Sequence, residues 1–106
     1  MDMKLLSNPI VHHAIDALQR GDKKAWLSHF TTKPQLFDDG KSRDFHLFVD
    51  EAIGTERFTK IELVENQGLD VHGQFHSDRW GDFRTYFKFH MDASGKFDRL
   101  DIGQGD

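Results

Sequence analysis

Cysteine is absent from these 106 residues, which excludes disulfides, a thiol nucleophile and thiolate metal sites. No block of Lys or Arg offsets the net charge of −4, so the clustered cations that nucleic acid requires are missing. No apolar run approaches the roughly 20 residues that span a bilayer. The opening stretch Met-Asp-Met-Lys-Leu-Leu-Ser-Asn-Pro lacks the apolar region of a secretory signal. A cytoplasmic protein without membrane or nucleic-acid partners is the expectation. Repeats, low-complexity segments and a composition break are also missing, so residues 1–106 read as one domain. Tyrosine occurs once, against ten Phe and two Trp. A core so rich in Phe packs rigid plates and leaves gaps between them.

What is present reads first as helix. Ser7 or Asn8 can cap a helix with Pro9 at its first position, where the missing N–H costs nothing. Ile10, Val11, Ala14, Ile15, Ala17 and Leu18 then form one apolar stripe at helical spacing. Gly21 ends that helix and Asp22 caps a second, expected from Lys23 to about Phe30, with Trp26 and Phe30 on one face. A third is expected from Ser42 or Arg43, carrying Phe45, Phe48, Val49, Ala52 and Ile53, and stopped by Gly54.

After Gly54 the period shortens towards two. Phe58 to Glu65 reads as a strand, with Asn66-Gln67-Gly68 as its turn. Leu69, Val71, Gly73 and Phe75 alternate with Asp70, His72, Gln74 and His76. Beyond a connection at Ser77 to Asp82, Phe83, Thr85, Phe87, Phe89 and Met91 alternate with Arg84, Tyr86, Lys88 and His90. Asp92-Ala93-Ser94-Gly95 makes a hairpin turn. Phe97, Leu100 and Ile102 break strict alternation, which predicts a bulge near Asp98 or Arg99. The expected order is three helices around one short strand, then a four-strand antiparallel meander.

Gly21-Asp22 followed by Trp26 and Phe30, then Leu36-Phe37-Asp38-Asp39-Gly40, and the ending Phe89 to Leu100 together resemble the nuclear transport factor 2-like, or SnoaL-like, superfamily. The resemblance covers Pro9 to Gln104. It implies an α+β, cystatin-like cone, with three N-terminal helices packed on a curved, mostly antiparallel sheet and a pocket at the open end. It also implies a homodimer packed through the sheet. Superfamily members include ketosteroid isomerases, polyketide cyclases, dehydratases and transport factors, so the fold does not choose a function.

The isomerase resemblance puts a general base at Asp38 or Asp39. Its two oxyanion donors, a Tyr and a protonated Asp, fall at or beside Ala14 and near Arg84, and neither donor is there. Without them most of the rate enhancement is lost. The bland reading makes Asp38-Asp39-Gly40 a turn, which suits both residue types. Strand parity still turns one acid inward: Asp38 if Leu36 is inward, Asp39 if Phe37 is, and Asp38 is the choice carried forward.

Seven His raise the question of a metal. His12 and His13 project about 100° apart on a helix. His72 and His76 share a strand face but lie roughly 13 Å apart, too far for one zinc. His46 and Asp50, four apart, read as a surface pair, and His29 as a pocket-rim or solvated residue. No metal and no cofactor are expected. Asp70, His72, Gln74 and His76 are expected opposite residues such as His90, Lys88, Tyr86 and Arg84 on a mixed-charge sheet surface, and Arg84, Tyr86 and Lys88 are the expected dimer contacts. Trp26, Phe30, Phe45, Phe87 and Phe89, with Asp38, are the expected pocket lining, and Trp80 a rim or dimer residue. The expected function is binding of a small, mainly apolar molecule. The alternative is a cofactor-independent isomerase, cyclase or lyase with Asp38 as base. An enzyme would show an inward acid held above its ordinary pKa beside a second polar group.

Overall fold

Asn8 starts the first helix with its own side chain, whose Oδ1 accepts the N–H groups of Ile10 and Val11 at 3.0 and 3.2 Å. The computed structural model describes residues 2–105. Helix α1 (Pro9–Arg20) ends where Gly21 turns left-handed at φ 68°. Asp22 then caps α2 (Lys23–Leu27) by accepting the Ala25 N–H at 3.0 Å. This helix is shorter than its apolar spacing predicts. Ser28 closes it with a hydroxyl bond to the Ala25 carbonyl, and Phe30 already belongs to strand β1 (Phe30–Asp38), where the β-branched pair Thr31-Thr32 favours extended chain. Trp26 and Phe30 still meet, at 4.9 Å between ring centroids, but across a helix–strand corner.

Strand β2 (Lys41–Arg43) pairs back onto β1, Leu36 opposite Arg43 and Asp38 opposite Lys41. That pairing claims the residues expected to open the third helix. Helix α3 (Phe45–Ala52) therefore starts later, with Asp44 as its cap accepting the Leu47 N–H at 2.9 Å. Strands β3 (Glu56–Glu65), β4 (Asp70–Ser77), β5 (Gly81–Met91) and β6 (Phe97–Gln104) follow.

The six strands make one sheet in the order β2-β1-β6-β5-β4-β3, antiparallel except where β1 runs parallel to β6. The β1–β6 register slips between Phe30 and Gln35, the segment holding Pro34, which has no N–H to give a ladder. Across the same Phe97–Arg99 stretch of β6, His90 of β5 pairs Arg99 while Met91 pairs Phe97. Asp98 is thus the extra residue of the predicted bulge. In the β4–β5 hairpin the face parity is as expected, but the partners are Asp70–Lys88, His72–Tyr86 and Gln74–Arg84. The pairing lies two residues from the His90-to-Asp70 alignment, because Ser77 and Gly81 already pair and only residues 78–80 form the loop.

One buried cluster joins the elements. Val11, Ala14, Ile15 and Leu18 of α1 and Phe45, Phe48, Val49 and Ala52 of α3 enclose apolar space with Phe58, Val71, Phe75, Phe87, Phe89 and Leu100 of the sheet. The chain is an α+β domain with three helices packed on a six-stranded, mostly antiparallel sheet.

Candidate functional site

The aromatic layer over the sheet has two ends. At one, Phe30 contacts Trp26, Phe45 and Phe97 at centroid distances of 4.9, 4.7 and 5.3 Å, and Phe89 seals the group against Phe97 at 4.7 Å. All five rings are buried. At the other, Phe75 contacts Phe58, Phe83 and Phe87, and the layer opens onto a cavity of about 370 Å³. That is within the range of small-molecule sites. Phe75, Phe83 and Phe87 line it from the sheet, Phe48 and Ala52 from α3, and Trp80 from the β4–β5 turn. A more open groove of about 460 Å³ runs beside Leu5 and Leu63 and gathers few apolar walls.

Both acids of the Asp38-Asp39-Gly40 stretch line the cavity, and they also make the turn. Asp39 at φ 50° and Gly40 at φ 83° form the two-residue loop between β1 and β2, the pair of positive φ values that type I′ hairpins need. The Asp39 N–H donates to the Ile102 carbonyl at 2.9 Å, and its Oδ1 accepts the Gln104 N–H at 3.3 Å. Gly103 packs closely beside it: a side chain there would displace the Asp39 carboxylate and the Tyr86 ring. Asp38 shares the inward face of buried Leu36, as parity demands. It is not a lone carboxylate among rings. Arg43 donates to Asp38 Oδ2 at 2.8 Å and to Glu51 Oε2 at 3.0 Å, and its guanidinium lies 5.1 Å over the Phe48 ring.

The acid that stands apart is Glu56, which the sequence reading passed over because it precedes the alternating run from Phe58. It pairs across to Ser77, and the buried Ser77 hydroxyl donates to Glu56 Oε2 at 2.9 Å. The same hydroxyl oxygen accepts the N–H groups of Arg79 and Trp80 at 3.2 and 3.1 Å. With those two donors in place, its hydrogen is committed to Glu56. Burial pushes the Glu56 carboxyl above its ordinary value, against the opposing pull of the Ser77 hydrogen bond. The available signals were an acid placed just after the Gly54 break and a serine ending an inward-facing strand.

Of the residues expected to line a pocket, Asp38 and Phe87 do so. Trp26, Phe30, Phe45 and Phe89 instead belong to the sealed end of the layer, outside the cavity wall. Arg84, Tyr86 and Lys88 alternate with inward Thr85 and Phe87, so they occupy the outer sheet face, where the Lys88 ammonium lies 5.1 Å over the Tyr86 ring. The two oxyanion positions stay empty of donors: Ala14 is core, and Arg84 is on the outer face, 3.3 Å from Glu62. His46 bonds the Thr32 carbonyl while Asp50 pairs with Lys23, so the expected His46–Asp50 pair does not form. His29 stacks on His13 at 6.2 Å away from the cavity, and burial, then His13, lowers its pKa. Among the described residues no three His, Asp or Glu converge as metal ligands.

No family model and no curated protein matches the chain. Solved structures do. A nuclear transport factor 2-like protein of unknown function from Cytophaga hutchinsonii superposes with a TM-score of 0.74 at 12% identity, over 99% of this chain and 95% of that one. The epoxide hydrolase/cyclase-like enzyme SalBIII, of pyran ring formation in polyether salinomycin, gives 0.69 at 18% identity, over 91% and 88%. The Orange Carotenoid Protein of Anabaena, binding canthaxanthin, gives 0.72 at 14%, over 96% of this chain and 38% of that one. At these identities what is shared is the fold, which is that of nuclear transport factor 2-like and SnoaL-like proteins.

Proposed function

We propose that this chain binds a small, mainly apolar molecule in the cavity between α3 and the β4–β5 turn, the open end of a cone formed by sheet and helices. The carrying observation is a cavity of about 370 Å³ in which aromatic walls face a rim of charged and polar groups, a size and concavity that suit a small ligand. Neighbours in fold that include a carotenoid-binding protein and a cyclase-like enzyme support it. Titration with the uncharged fluorophore N-phenyl-1-naphthylamine tests it. Saturable emission is expected from the native chain, lost in Phe83→Glu, which places a charge on the apolar wall. A probe that does not saturate, or a variant that binds as well, sinks the reading.

A second reading has one observation in its favour. Asp38, the base that the resemblance implies, is tied to Arg43, whereas Glu56 is an inward acid with a raised pKa beside a hydroxyl. A cofactor-independent isomerase, cyclase or lyase needs such a group. Deuterium uptake by cyclohexanone in heavy water, followed by nuclear magnetic resonance, separates the two. Uptake catalysed by the native chain and lost in Glu56→Gln supports proton transfer, and no uptake leaves binding alone.

The outer sheet face supports a homodimer with Arg84, Tyr86 and Lys88 in the contact, because it combines a ring, cations and exposed acids on one surface. Light scattering at high concentration should then exceed the 12.3 kDa of one chain. A monomer mass would end that proposal.

A further inference from the structure

Charge at the cavity wall is unevenly spent. Asp38 and Glu51 clasp Arg43, Asp39 accepts the Gln104 N–H, and Glu56 accepts from Ser77. The second cation of the wall, Arg79, has no carboxylate within ion-pair distance among the described residues. Its guanidinium lies instead 5.1 Å over the ring of its neighbour Trp80. Trp80 is 68% exposed, the most exposed large apolar side chain described, yet both residues line the cavity.

The backbone beneath them is not loose. Ser77 Oγ holds both their N–H groups, and the Asp78 N–H donates to the Thr55 carbonyl at 2.9 Å. A rigid three-residue turn therefore presents a flat indole with an uncommitted guanidinium stacked on it at the cavity mouth. A guanidinium in this state offers a fork of donors that matches a carboxylate or sulfonate. The exposed indole offers a planar partner for an aromatic or conjugated body. An anionic group placed there gains a charge pair without displacing one.

Resting on the cavity reading above, we propose that Arg79 and Trp80 make this site selective for planar molecules carrying one anionic group, a carboxylate or sulfonate, seated at the β4–β5 turn with the apolar body against Phe83 and Phe87. The test compares two probes with the same ring system. 8-Anilino-1-naphthalenesulfonate carries the anion, and N-phenyl-1-naphthylamine does not. The native chain should bind the sulfonate about ten-fold more tightly, the scale of one charged hydrogen bond, and added salt should erode that preference. Arg79→Gln should abolish it and Arg79→Lys should keep part of it, the readout being the ratio of the two affinities in each variant. Because Arg79 is exposed and its guanidinium rests only on the exposed ring of Trp80, melting temperatures close to the native value are expected and check the folding. Equal affinity for the two probes, tighter binding of the neutral one, or a preference that survives Arg79→Gln overturns the inference and leaves the cavity reading standing. Binding of neither probe overturns both.

Discussion

The two ends of the aromatic layer use the same residue type to opposite result. At the sealed end, α2 delivers Trp26 and α3 delivers Phe45 onto Phe30, Phe89 and Phe97, and all five rings are buried. At the open end no residue of α1 or α2 reaches the wall; α3 supplies Phe48, Glu51 and Ala52, the sheet and the β4–β5 turn add their own rings, and polar groups from five strands and three turns close the rest. Phenyl content therefore does not tell a core from a binding wall. What separates them is that two helices, α2 with Trp26 and α3 with Phe45, close over the sealed end, whereas α3 alone reaches the open one.

The sharpest way to break the comparison is to empty the sealed end. Trp26→Ala should lower stability by about 3–5 kcal/mol in urea unfolding, through lost transfer energy and an unfilled cavity, whereas Phe83→Ala, half-exposed at the open end, should cost about 1 kcal/mol. Trp26→Phe should cost roughly half the alanine value or less, since the buried indole N–H has no acceptor among the described residues and its removal loses no hydrogen bond. If Phe83→Ala costs as much as Trp26→Ala, the two ends are one core and the distinction fails.

The ends should also respond to pH with opposite sign. His29, packed against His13 near the sealed end, has a folded pKa below its ordinary 6.5. The unfolded chain then binds the proton more readily, so stability falls as pH drops through 6.5 towards the folded value. Glu56 at the open end has a folded pKa above its ordinary 4.5. The unfolded chain then loses the proton first, so its contribution is full below 4.5 and is lost as pH rises through the folded value. Thermal melts across pH 4 to 8 should show His29→Gln flattening the decline below 6.5 and Glu56→Gln removing a decline above 4.5. Unchanged profiles in both variants would contradict these placements.

The smallest effects belong to the β1–β2 turn. Asp39→Asn should change stability by less than about 0.5 kcal/mol, because Asn also tolerates positive φ in a two-residue hairpin. Asp39→Ala should cost about 1 kcal/mol, having neither that tolerance nor an acceptor for Gln104. Asp38→Asn should fall between them, since it weakens one arm of a partly exposed ion pair. Paired thermal melts rank the three.

Much of this was legible in advance where the cause is local. Asn8, Gly21 and Asp22 act within four residues of themselves, so helix ends followed from residue type. The Asp98 bulge followed from broken alternation. The inward turn of Asp38 followed from parity with Leu36. The shortening of α2, the later start of α3 and the partnership of β1 with β6 did not follow, because each depends on a strand more than fifty residues away or on a competing pairing. Helical spacing alone gave Phe30 to a helix, while Phe97 holds it in a strand.

The site divides in the same way. Sequence by itself determined the order of helices and meander strands, a carboxylate at the end of β1 facing inward, and the absence of thiol chemistry, since these rest on periodicity, parity and composition. Tertiary structure alone decided which rings seal and which line a cavity, that Asp38 would be clasped by Arg43, and that Glu56 and Arg79 would meet through one hydroxyl. The last of these joins segments 21 to 23 residues apart, Glu56 to Ser77 and Arg79, and all of them are set by how the sheet pairs and packs rather than by any residue's own preference.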